Sequence, residues 1–518
     1  MTFVVQRSSQ LRATLLLLLV AASPATAQVT LAEYQQRRAA LASQLPEGVF
    51  VARGGEEPVE DYRSFFQSPG FFYLTGYREP GAALLMHKQG TAVQWFLFVQ
   101  ERNPSVEVWS GRRYGPERAG RATGLSALPA SRFRPTLDSL LRTTSRLTAL
   151  VDLAEGGDTL NRDDRFLEEL RRDFPNLEIA GANAIVDRMR GTKSAAELDL
   201  ISRAAYISAL AHREAARAIR PGASEFEVQA ALEATFRRHG ADRPAYASIV
   251  GSGPNSTVLH YNRNDCFMES GELLLIDAAA SYGGYAADIT RTFPVSGRFS
   301  PEQRAIYEVV RAAQARVERL LRPGTPFRAL NDTARAVLAE GLARIGLIDS
   351  ASATYECSTG RQRQCSQLSL FYMHGLGHGI GLVVHDPEQA YYPPGTLGPG
   401  SAFTIEPGLY VRDNLLDIVP DTPANASFRA RLARLLPRYA NIGVRIEDDY
   451  IVTNEGVRWI SCAVPREPDE VEVLVRGDNA RSSAPERLAD WYKTLIVEPS
   501  EARPGTPAPP RCPPLPRN

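Results

Sequence analysis

An α+β fold, preceded by a smaller α/β domain, is what the sequence predicts, on three observations. Between residues 48 and 186, short apolar runs of strand type alternate with helix-like stretches. Beyond residue 187 the helical periodicities come grouped, and so do the strand-like runs, as in α+β folds. The chain has 518 residues, 44% of them apolar and 23% charged, which leaves ample core for more than one domain. Lys+Arg and Asp+Glu both number 59, and no polybasic stripe stands out, so no nucleic-acid partner is expected.

Residues 1–27 read as an export signal. Arg7 and Arg12 precede an apolar run over 13–22, and Ala25-Thr26-Ala27 fits the small-residue cleavage site. An uncleaved anchor is the alternative, but the run is about half the ~20 residues a spanning helix needs. The expected product is periplasmic or secreted, with no stable membrane association.

Residues 28–186 form the expected N-terminal domain. A helix is predicted over 31–45, strands over 49–52, 82–86 and 93–99, and helices over 136–142 and 163–174. Residues 187–480 form the second domain. Leu198, Ile201, Ala205, Ala209, Ala216 and Ile219 recur at helical spacing until Pro221-Gly222 ends the helix. Ser224 and Glu227 make a capping box for a helix running to residue 239. Helices over 301–321 and 327–345 follow, with strands over 273–279, 285–293, 402–411 and 444–453. Residues 481–518 are an extension ending in a tail with eight prolines in its last twenty positions.

Export permits disulfides. Cys357 and Cys365 lie in one short polar stretch, and closing that loop would contribute about 2.5 kcal/mol. Cys266 and Cys462 sit in apolar runs and read as buried and inert, while Cys512 falls in the tail.

Three of seven histidines fall within twelve residues, at His374, His378 and His385. Gly375 stands where a zinc-peptidase helix would need its general-base Glu, and Gly375, Gly377, Gly379 and Gly381 disfavour a helix. Asp277 ends the apolar run Leu273–Ile276, where packing needs no charge. Tyr282-Gly-Gly-Tyr285 fits a two-residue hairpin turn. With 282 opposite 285, Asp288 faces residue 279 and points the same way as Asp277, roughly 7–8 Å away. Glu406 and Glu447 each lie inside a further strand-like run, and Arg445 shares a face with Glu447. Four such carboxylates converging require cations. Four oxygen donors and one imidazole suit Mn²⁺ first, with Co²⁺ or Zn²⁺ as alternatives.

The ordered set Asp277, Asp288, His378, Glu406, Glu447 resembles the five ligands of the pita-bread metallopeptidases, which include methionine aminopeptidase, prolidase and aminopeptidase P. The flanks are similar to aminopeptidase P at Ile249–Gly253, Leu259–Tyr261, Tyr285–Pro294, Met373–His378 and Gly443–Asp449. Phe71–Pro80 and Glu107–Tyr114 resemble the N-terminal domain of that group. The resemblance implies two divalent ions, with Asp277 chelating one, Asp288 and Glu447 bridging, and His378 and Glu406 completing the second. It implies that a water activated by both ions attacks the scissile carbonyl, with Glu406 moving its proton. His385 would position substrate and stabilise the oxyanion, and His260 and His374 would line the cleft, His260 also counting among the catalytic candidates. Arg445 would support the ligands and specificity, with Tyr410 and Trp109 as further substrate-binding candidates. The implied reaction is release of an N-terminal residue from peptides with proline second; a prolidase acting on Xaa-Pro dipeptides, and a binding protein on the same scaffold, are the alternatives. Trp109 reads either as a residue reaching a neighbouring subunit in a dimer or tetramer, or as a core residue. The stretches 350–368 and 412–441 are longer than the resemblance requires.

Overall fold

The structure is a computed structural model, and it describes residues 28–58, 64–151, 161–359, 362–477 and Cys512. The expected signal (1–27) and, apart from Cys512, the extension 481–518 lie outside the described residues.

The N-terminal domain is built on a mixed six-stranded sheet. Its strands run in the order Ser126–Pro129, Ala92–Val99, Ala83–Gln89, Gly48–Arg53, Arg146–Leu150, Glu178–Gly181. The three middle pairings explain the alternation in the sequence. Phe50, Leu84 and Leu97 face the large core, while Val49, Val51, Leu85 and Phe98 face a second core under the helix Phe133–Leu141. Both faces are buried, so these strands read as nearly continuous apolar runs. The predicted helix at 31–45 is Leu31–Gln44, capped by the Thr30 side chain.

Helices Ala195–Ala216, Glu225–Arg238, Pro301–Glu318 and Phe327–Ile345 surround the sheets of the second domain. Capping boxes start three of them, at Ser194/Glu197, Ser224/Glu227 and Ser300/Gln303. Strand Leu273–Asp277 lies between Ile249–Ser252 and Thr290–Pro294. Tyr282 pairs with Tyr285 and Asp277 with Thr290, which is the register the Gly-Gly turn predicts.

The long strands expected around the glutamates are divided. Ala402–Ile405 pairs with Asp448–Thr453, whereas Gly408–Val411 pairs with Ile442–Arg445. Pro407 has no N–H for a ladder, and the two chains step together from one sheet to the other at 406–407 and 446–447. Glu406 and Glu447 therefore sit at strand breaks rather than inside strands. Asp288 likewise occupies a break, between Tyr285–Ala286 and Thr290–Pro294.

The 186/187 division falls inside a helix, Asn183–Arg190, that links the domains. Arg37 of the first domain pairs with Glu197 of the second at 3.0 Å, and Arg78 donates to the Gly283 carbonyl in the hairpin turn. Among the described residues no helix is long and apolar enough to cross a membrane.

Cys357 and Cys365 are disulfide-bonded, as expected. The other cysteine assignments need correction. Cys462 is bonded to Cys512, fifty residues away, and Cys266 is an exposed free thiol, not a buried one. The two extra stretches pack together. Asn425 exchanges two hydrogen bonds with the backbone of Glu356, and Tyr355 lies 6.2 Å from Phe428, on the helix Ala426–Tyr439.

Candidate metal centre

Three strand breaks and one glycine-rich loop bring the candidate ligands together. Asp277, Asp288 and Glu447 are buried, and donor atoms of Asp288, His378 and Glu447 all lie within 4.8 Å of one another. Glu406 joins them with Oε1 3.6 Å from His378 Nε2. The loop from His374 to His385 is not helical, and its glycines allow close approach. A Cβ on Gly377 would stand 2.1 Å from the Thr404 carbonyl oxygen. Asp386, paired with Arg190 and Lys193, pins the far end of the loop.

The histidine tautomers follow from the carbonyls they face. His378 Nδ1 lies 3.1 Å from the Gly379 carbonyl, so it carries the proton, leaving the Nε2 lone pair 3.4 Å from Asp288 Oδ2. A lone pair aimed at two carboxylates is repulsive unless a cation lies between them. Burial, followed by the charge of Asp277, raises the Asp288 carboxyl well above its usual range. Burial and Asp288 do the same to Glu447, and burial and Glu447 lift Glu406 to about 8. These are the marks of a site whose charges are offset by metal, and the oxygen-rich donor set with one imidazole fits a divalent ion.

Arg445 is the guanidinium bonded into this cluster. It donates to Asp277 Oδ2 at 2.5 Å, to Thr290 Oγ1 at 3.1 Å and to the Tyr410 hydroxyl at 2.8 Å. Thr290 in turn donates to Glu447 Oε2 at 2.7 Å. Because Arg445 only donates, the Tyr410 hydroxyl donates its hydrogen bond to His374 Nε2, 2.8 Å away, and His374 Nδ1 donates to the Gly375 carbonyl. Burial pushes His374 down to about 4; desolvation and then His378 push His385 down to about 4. The rings of His378 and His385 are 4.2 Å apart. His260, exposed on a neighbouring loop, is near enough to disfavour a proton on both His374 and His385.

Ten of the eleven candidate residues are thus brought to one site. Trp109 is the exception. It lies on the helix Pro104–Ser110 and is 88% exposed, so its reading as a core residue is overturned. Sequence reasoning missed Tyr246, whose hydroxyl contacts Asp277 Oδ1 at 2.5 Å and also Asp288 Oδ1. Nothing in the run Pro244–Ser248 signals that role. Thr290 could have been found, two residues beyond Asp288 in the strand that the sequence predicts there.

Comparison with known proteins agrees with this geometry. Residues 199–454 match the sequence model of metallopeptidase family M24, and residues 34–149 match that of the aminopeptidase P N-terminal domain. A Xaa-Pro aminopeptidase of Haemophilus influenzae is 36% identical over 413 residues, 79% of this chain and 88% of the relative. One from Escherichia coli is 34% identical over 461 residues, 86% of this chain and 98% of the relative. Among solved structures, aminopeptidase P from E. coli with the inhibitor Pro-Leu superposes with a TM-score of 0.71 at 33% identity, covering 87% of this chain and 99% of that one. Aminopeptidase PepP of Pseudomonas aeruginosa gives 0.72 at 32% identity, covering 87% and 98%. The chain belongs to metallopeptidase family M24, and it is a metal-dependent peptidase. Within the family its two-domain organisation is that of aminopeptidase P.

Proposed function

We propose that the chain is an exported Xaa-Pro aminopeptidase working with two divalent ions, Mn²⁺ in the first place, held by Asp277, Asp288, His378, Glu406 and Glu447. The observation that carries this is the unprotonated Nε2 of His378 facing Asp288 and Glu406, an arrangement that calls for a cation. The relatives named above are themselves Xaa-Pro aminopeptidases.

The ions would supply Lewis acidity and an activated water. Glu406 is the residue suited to hold and return a proton, a carboxylate whose Oε1 stands 3.6 Å from His378 Nε2 at the edge of the ligand cluster. His385, neutral and exposed beside His378, can donate an N–H to a developing oxyanion. His374 is fixed as an Nδ1–H tautomer by Tyr410 and Arg445, so its ring is a rigid wall of the cleft. A bond to proline is a tertiary amide with no N–H, so recognition must come from such walls rather than from a hydrogen bond to that nitrogen. Val106, Val108 and Trp109 are exposed together on one short helix, which supports a homo-oligomer, a dimer or tetramer, that covers them.

The test offers Xaa-Pro dipeptides and Xaa-Pro-Yaa tri- and longer peptides to the Mn²⁺-loaded protein. Cleavage of the longer peptides at the Xaa–Pro bond is expected. Hydrolysis of the dipeptide alone would make the chain a prolidase instead.

A further inference from the structure

We propose that Asp449, which is outside the five-residue ligand set, is a positioning residue of the metal centre: it ties the backbone of Asp288 to the strand beside Glu447 and adds a negative charge that bound ions offset. The inference rests on the metal-centre reading above.

Asp449 is fully buried, and its Oδ2 accepts a hydrogen bond from the Asp288 backbone N–H at 3.1 Å. Its own N–H donates to Ser461 Oγ at 3.1 Å, and its carbonyl accepts from Ile460. One side chain thus joins the strand that follows Glu447 to the break that carries Asp288, the two ligands expected to bridge the ions. The remaining oxygen, Oδ1, is buried with no hydrogen-bond partner among the described residues.

Its neighbour Asp448 makes the contrast. Asp448 receives Arg291 and Arg466 at 2.7 Å, Gln314 and the Trp459 indole at 2.9 Å, and Ser461 at 2.6 Å. Arg466 is shared with Glu318, which Arg311 also reaches, and neither Arg291 nor Arg466 donates a hydrogen bond to Asp449. A buried carboxylate with an unsatisfied oxygen is costly and persists only where something offsets it. Asp449 therefore belongs to the charge balance of the centre.

The test compares wild type with Asp449→Asn and Asp449→Ala, each stripped of metal and titrated with Mn²⁺ by calorimetry. Asn keeps an oxygen for the Asp288 N–H and removes the charge. The Asn variant should bind Mn²⁺ about tenfold more weakly, the low end for residues that support ligands. Its metal-free Tm should be unchanged or higher, because a buried carboxyl oxygen without a hydrogen-bond partner has gone. Ala also removes the acceptor, so the Asp288 amide should exchange faster in the metal-free protein. An Asn variant that binds Mn²⁺ as tightly as wild type overturns the inference. So does one whose metal-free Tm falls along with its affinity, since that is the pattern of a purely structural residue. Wild type binding no divalent ion would sink the metal-centre reading itself, a distinct result.

Discussion

His378 presents its Nε2 to Asp288 Oδ2 at 3.4 Å while its Nδ1 is occupied by the Gly379 carbonyl. The backbone thereby fixes which nitrogen is free before any ion arrives. That preorganisation spares the site a tautomer choice on binding.

The metal-free protein should lose stability as pH rises from 6.5 to 8. The carboxyls of Asp288, Glu406 and Glu447 are raised, Glu406 to about 8, so the folded state holds protons that the unfolded state releases above its usual carboxylate range. Their contribution is fully present below pH 4 and fades as pH climbs through the folded values. His212, His374 and His385 are pushed down to about 4 and act in the opposite sense below 6.5, where the unfolded imidazoles take up protons. That opposing effect is half spent at 6.5 and nearly gone about one unit higher, so the carboxyl effect dominates toward pH 8. Thermal melts of chelated protein at pH 6.5, 7.2 and 8 should show a falling Tm; a rising Tm would contradict the assignment.

Tyr246→Phe should leave the fold intact and weaken Mn²⁺ binding roughly tenfold, because its hydroxyl contacts both Asp277 and Asp288. Calorimetry on the stripped variant reads this directly. Unaltered affinity would reduce Tyr246 to a wall of the cleft.

Native protein should titrate a single thiol, Cys266, and three if one of the two disulfides were absent. Replacing Cys357 and Cys365 together by Ser should lower stability by up to about 2.5 kcal/mol in denaturant melts. The hairpin is held on its other side by Asn425 and Phe428, so it melts with the domain rather than alone. A variant as stable as wild type would show that the loop closure contributes nothing.

Legibility in the sequence followed how local each signal is. The Tyr282–Tyr285 turn fixes its own register, so the meeting of Asp277 and Asp288 could be read from spacing alone. The capping box at Ser224 is equally local. The strand breaks at Glu406 and Glu447 were hidden, because the switch between sheets depends on which partner each half finds. The Cys462–Cys512 bond joins residues fifty apart with no pattern between them, and Tyr246 reaches the site only through tertiary packing.

The central claim is that these five residues hold two ions on which catalysis depends, and the most direct measurement is metal stoichiometry beside peptide cleavage in wild type and Asp288→Ala. Wild type dialysed against Mn²⁺ should retain two ions per chain and cleave an Xaa-Pro-Yaa peptide. The variant, folded by circular dichroism, should lose the pair and fall in activity by more than about 100-fold, beyond what residues outside the ligand shell cause. An Asp288→Ala protein that keeps two ions and full cleavage, or a chelated wild type that cleaves as before, would contradict the account.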